Sequence, residues 1–269
     1  MNKEKPRAQH RRAEPVAEPR VVDAAAAPTP PSAEAEAFYA AALRELEKFG
    51  VPFLLGGTYA VSAYTGIIRA TKDLDIFCKP GDCARILEWF RSLGYDIAIE
   101  DERWLAKVLK DEHFFDVIYS SWHGSLPVSN EWFEHAPLAE ILGTQVRLIA
   151  PTELIWSKAF VQVRHRYDGA DIANIILRQH ERIDWRRLFG YMDLHWEVLL
   201  VHLVNFRWAY PSERDCVPRW LMDELADRLK HQLELPTPRT RICRGRMYSR
   251  SDYEIAVSEW GFQDVDESE

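Results

Sequence analysis

The stretch FLLGGTYAVSAYTGIIRATKDLDIFCKP, residues 53–80, constrains this chain more than any other. An apolar run stops at Gly56 and Gly57, an amphipathic segment follows, and Asp73 and Asp75 then flank Leu74 in an otherwise apolar run. Alternate side chains of a strand share a face, so both carboxylates point one way while Leu74, with Ile76, faces a core. Two like charges so placed repel unless a cation lies between them. Mg²⁺ suits the position, because it takes oxygen ligands and pairs with substrate phosphates. A turn-capping aspartate beside a solvated one would read the same way. The glycines precede a helix, where bare backbone and free N–H groups can receive a phosphate, with the Thr58 hydroxyl beside them. A tight strand-to-helix turn is the simpler reading of the same pair.

Asp116 lies inside HFFDVIY, a run where charge is uncommon. It reads as an edge-strand aspartate facing water, or as the third carboxylate of a site for two metal ions about 3.5–4 Å apart. Further on, KAFVQVRHRYDGADIANII sets Lys158, Arg164 and Arg166 ahead of Asp168 and Asp171. The two acids are three residues apart, on one helix face, and read as ordinary surface pairs.

Around these motifs the chain reads as α/β (α+β), a mixed sheet with flanking helices followed by a helical domain. Residues 1–32, rich in Ala, Pro, Glu and Arg, are expected to be a disordered tail. Residues 34–150 are expected to form the α/β domain. Within it, an opening helix carries Phe38, Ala41, Leu43 and Leu46 on one face and stops at Gly50. Strands follow at VPFLL and LDIFC, then a helix closed by Gly94. Three antiparallel strands come next, at YDIAIE, RWLAKVLK and HFFDVIYSS. A helix near NEWFEHAPLAEIL and a last strand at TQVRLIA complete the domain. Residues 151–235 read as the helical domain, with Trp185, Trp196 and Trp208 packing helix on helix. Residues 236–269 hold a basic segment, Arg239 to Arg250, then a short helix opened by a Ser251–Glu254 capping box, and an acidic tail. The basic segment reads as a surface strand, or as a grip on single-stranded RNA or polyphosphate.

Composition narrows the function classes. With 47% hydrophobic and 28% charged residues the chain can bury a core. No apolar run approaches the roughly 20 residues of a membrane helix. The N-terminus lacks the apolar region of a secretory signal. Cys78, Cys83, Cys216 and Cys243 form no C-x-x-C pair, which favours free thiols and a cytoplasmic location. A net charge of -8 argues against broad, salt-driven binding to duplex nucleic acid.

The segment GGTYAVSAYTGIIRATKDLDIF, with Lys158 and RHRYDGADI downstream, resembles the nucleotidyltransferase fold of the DNA polymerase beta superfamily. Within it the chain is most similar to the small bacterial AbiEii-like proteins, over roughly residues 50–178. The resemblance implies that Gly56, Gly57 and Thr58 hold the β- and γ-phosphates of a nucleoside triphosphate. It implies that Asp73 and Asp75 bridge two Mg²⁺ ions, and that Asp116 joins one of them and helps deprotonate an acceptor hydroxyl. Arg69, Lys72, Lys158 and Arg166 would neutralise phosphate charge. The acceptor could be tRNA, a protein side chain or a small hydroxylated molecule. A module of the same fold that binds nucleotide or a partner protein without turnover is the alternative.

Overall fold

In the computed structural model, residues 31–69, 71–121, 126–163 and 166–265 are described, with the backbone alone at Arg246. Residues 1–30 of the expected tail, Arg164, and 266–269 of the acidic tail lie outside these.

The first helix, α1 (Ala33–Phe49), begins where the Ser32 hydroxyl accepts the Ala35 N–H, and it ends at Gly50 with a left-handed φ of 74°. Its buried stripe is Ala35, Tyr39, Ala42, Leu43 and Leu46. The face is therefore turned by about one position from the expected one: Phe38 and Ala41 sit at its edge, half-buried. β1 (Leu54–Leu55), α2 (Gly57–Thr65), β2 (Asp75–Phe77) and α3 (Pro80–Ser92) follow. Then come β3 (Asp96–Asp101), β4 (Leu105–Lys110) and β5 (His113–Ile118).

These strands form one sheet in the order β1-β2-β5-β4-β3, in which β2 and β5 run parallel and the other pairs antiparallel. The three expected antiparallel strands are all present. The β4–β5 hairpin turns on two residues, Asp111 and Glu112, with Asp111 at a φ of 55°. That turn fixes the register and sets Lys107 opposite Asp116. Across the central pair Asp75 stands opposite Asp116.

The two faces of the sheet differ. On one, Phe115 packs edge-to-face on Phe90 of α3 and beside Phe38 of α1. Leu74 and Ile76 are fully buried, as expected. Each such large side chain removed from water contributes roughly 1.5–3 kcal/mol. The other face carries Asp75, Phe77 and Asp116, and it forms the floor of the site.

Beyond β5 the sequence reading needs correction. Two short strands, β6 (Ser120–Ser121) and β7 (Leu126–Pro127), pair beside the sheet. The expected helix through NEWFEHAPLAEIL is only α4 (Asn130–Glu134), because Pro137 removes an amide donor and the chain turns extended. β8 (Leu138–Ile141) and β9 (Thr144–Arg147) then make their own hairpin. Among the described residues, TQVRLIA thus joins the main sheet through a single bridge, of Leu148 to Leu55.

Pro151 opens α5 (Pro151–Ala159), which leads through the ribbon β10 (Gln162–Val163) and β11 (Arg166–Tyr167) into α6 (Gly169–Gln179). Three more helices follow: α7 (Trp185–Tyr191), α8 (Trp196–Ala209) and α9 (Arg219–Glu234). The buried apolar residues form one continuous cluster from Ala35 to Leu225. Trp185 belongs to it and Trp196 packs against it, but Trp208 is 85% exposed, contrary to its expected place in the helix packing. β12 (Ile242–Cys243), α10 (Arg250–Ser258) and β13 (Gln263–Asp264) end the described chain. Ser249, not Ser251, occupies the N-cap of α10. Ser251 falls inside the first turn, so the expected capping box does not form. All four cysteines are free thiols. Among the described residues no helix is long and apolar enough to cross a membrane.

Candidate active site

The site grows from the turn between β1 and α2. The Gly56 N–H donates to the Asp75 carbonyl at 3.0 Å, so it is spent on the sheet and not open to a ligand. A Cβ on Gly56 would collide with the Phe77 ring and the Ile149 side chain. Gly57 is required twice over: its φ is +53°, and a Cβ there would overlap the Asp75 carboxylate. The second glycine therefore lets a carboxylate lie against the first turn of a helix. The N–H groups of Gly57, Thr58 and Tyr59 have no acceptor within that turn, and Thr58 is half-buried beside them.

The carboxylate oxygens of Asp73, Asp75 and Asp116 come within 4.8 Å of one another. Asp73 lies just before β2, its Oδ1 3.1 Å from the Thr71 hydroxyl. Loss of water around Asp75, then the charges of Asp73 and Asp116, push its pKa up to about 7. Burial also raises Asp116, against the pull of Lys107. On the far side, burial and the same three acids raise the phenol of Tyr39 to about 12. Among the described residues the only ion pair made by the triad is Lys107 Nζ to Asp116 Oδ1, at 2.6 Å.

A cavity of about 390 Å³ opens over Asp75 and Asp116. Gly57 lies on its wall, with Phe77 and Trp104 on the sheet side and Lys158, Arg166 and Asp168 opposite. Lys158 is buried, with Nζ 2.8 Å from Asp168 and 2.9 Å from Asp171. Arg166 is more exposed and reaches Asp168 at 3.2 Å. Arg69 pairs with Asp171 at 2.7 Å, tying the loop before β2 to α6. Asp168 and Asp171 are buried, which overturns their reading as surface pairs. Burial works to raise Asp168, but Lys158 and Arg166 hold its carboxyl below the ordinary range. Lys72 is exposed and enters no ion pair among the described residues.

Solved structures were found with similar architecture. One is an antigenic nucleotidyltransferase-like protein from Paracoccidioides brasiliensis, 17% identical, over 69% of this chain and 92% of that one, at a TM-score of 0.46. A second is ANT(2'')-Ia in complex with adenylyl-2''-tobramycin, 18% identical, over 65% and 98%, at 0.39. A third is the lincosamide antibiotic adenylyltransferase LnuA, lincomycin-bound, 16% identical, over 52% and 94%, at 0.39. No family model matches the sequence, and no curated protein aligns with it.

The structure thus brings together Asp73, Asp75 and Asp116, with Gly57 against Asp75 and with Lys158 and Arg166 on the same cavity wall. It leaves Gly56, Thr58, Arg69 and Lys72 off that wall. Sequence reasoning missed Lys107 and Trp104. For Lys107 a signal existed: counted outward from the two-residue turn at Asp111 and Glu112, it must face Asp116.

Proposed function

We propose that this chain transfers a nucleoside monophosphate from a nucleoside triphosphate to a hydroxyl acceptor and releases pyrophosphate. The reading is carried by one observation: three carboxylates converge within 4.8 Å beside the first turn of α2. Their chemistry fits a divalent cation. The donors are hard oxygens, and the crowding that pushes Asp75 up to about 7 is relieved by a cation. Asp73 and Asp75 would hold Mg²⁺, which when bound neutralises phosphate charge.

The chain's own groups do the rest. The N–H groups of Gly57 and Thr58 bind phosphate oxygens. Arg166, at the rim, adds a guanidinium that suits paired phosphate oxygens. Lys158 holds Asp168 and Asp171 in place and lends charge to the cavity wall. The acceptor oxygen attacks the α-phosphorus, the bond to the bridging oxygen breaks, and pyrophosphate leaves with that electron pair. The hydroxyl proton passes to Asp116. Catalysis of this kind is mostly positioning plus charge stabilisation.

The test incubates the protein with Mg²⁺, an α-labelled triphosphate, and in turn RNA, protein and polyhydroxylated small molecules. Label should move to one acceptor class, and Asp75→Asn should stop it. Nucleotide binding without transfer to any acceptor would favour the idle-module alternative. No shift in melting temperature with nucleotide and Mg²⁺ together would sink both.

A further inference from the structure

We propose that Lys107 is a built-in counter-ion that limits the carboxylate triad to one divalent cation, held by Asp73 and Asp75. The inference rests on the reading of the triad as a cation site, and it departs from the two ions that the sequence resemblance implies. Lys107 Nζ lies 2.6 Å from Asp116 Oδ1, and both side chains are largely withdrawn from water. The pair is not a chance surface contact, because the β4–β5 register places the two residues directly opposite. The ammonium also stands 4.1 Å from the centre of the Phe114 ring. Phe114 is two residues from Asp116 and so on the same face of β5. Register, carboxylate and ring together fix the cation where it is.

Charge balance gives the consequence. Three carboxylates and one ammonium leave two negative charges, which a single divalent ion neutralises. A second ion bridging Asp116 would have to displace Lys107 from a well-desolvated partner, or stand beside it and repel it. Lys158 and Arg166 pair with Asp168, and Lys158 and Arg69 with Asp171, so among the described residues Lys107 alone makes a direct ion pair with the triad.

Mn²⁺ binding to the full chain, counted by the electron paramagnetic resonance signal of the free ion, tests the proposal without nucleotide. Wild type should bind one ion. Lys107→Met, which keeps the stem packed on Phe114 but removes the charge, should bind two, and Lys107→Arg should return to one. As a control that does not depend on the folding of Lys107→Met, Asp73→Asn, which removes one proposed ligand and leaves the Lys107–Asp116 pair intact, should weaken ion binding more than tenfold. Two ions on wild type, or one ion on a folded Lys107→Met, overturns the proposal. So does unchanged ion binding in Asp73→Asn. No ion on wild type or on any variant removes the cation-site reading itself, a failure distinct from the others.

Discussion

Two groups of acids meet at one cavity, which Asp75 and Asp116 line from the first and Asp168 from the second, and they are opposites. Asp73, Asp75 and Asp116 crowd three negative charges around a single paired cation. Asp168 and Asp171 share three cations, Lys158, Arg166 and Arg69. The first group is under-compensated, and its Asp75 carboxyl is raised by burial and by its two acidic neighbours. The second is over-compensated, and its Asp168 carboxyl is lowered by its cations despite burial. The first is built to take up positive charge, and the second keeps one positive charge spare on the opposite wall. A polyanion carrying a divalent ion satisfies both at once.

Substitutions should act on the two groups with opposite signs. Asp75→Asn is expected to reduce transfer about 100- to 1000-fold, as loss of a charge-stabilising group does. It should leave the metal-free melting temperature unchanged or raised, because it relieves crowding. A fall in that temperature would break the comparison. Asp168→Asn should cost about 3 kcal/mol in chemical denaturation, because it strips a partner from the buried Lys158 ammonium. A neutral effect would mean the second group is not holding its cations. Gly57→Ala should cost about 1–3 kcal/mol and weaken Mn²⁺ binding more than tenfold, since the new methyl displaces the Asp75 carboxylate. Unchanged binding would show that this close approach is not needed.

The smallest effect is in pH dependence. Asp75 has a folded pKa of about 7 against an ordinary value of 3.8. Its contribution to stability is full below about pH 4 and is lost as pH rises through 7. Asp168 is shifted the other way, so its contribution is present above its ordinary value of 3.8 and is lost as pH falls below it. Mg²⁺ should therefore raise the melting temperature of the protein more at pH 8 than at pH 5.5. Equal shifts at both would place the ion away from Asp75.

Much of the triad side was legible in the sequence. The D-x-D spacing marks the pair, although β2 begins only at Asp75 and Asp73 lies just before it, and a diglycine before a helix marks a close approach. What stayed hidden depended on partners far along the chain. Nothing near Gly56 announces that its missing side chain makes room for Phe77 and Ile149. The acids of α6 look like surface residues until α5 brings Lys158 against them. Pro137 cannot continue a helix, and the chain forms the β8–β9 hairpin where a helix was expected. Lys107 was readable from the turn geometry, since a two-residue turn determines every pair behind it.

The most direct test is a crystal of the protein grown with Mn²⁺ and a non-hydrolysable nucleoside triphosphate, examined by anomalous scattering. The account predicts a manganese peak between Asp73 and Asp75, with the phosphates running toward the N–H groups of Gly57 and Thr58. A peak elsewhere, or phosphates bound with those two acids empty, would contradict it.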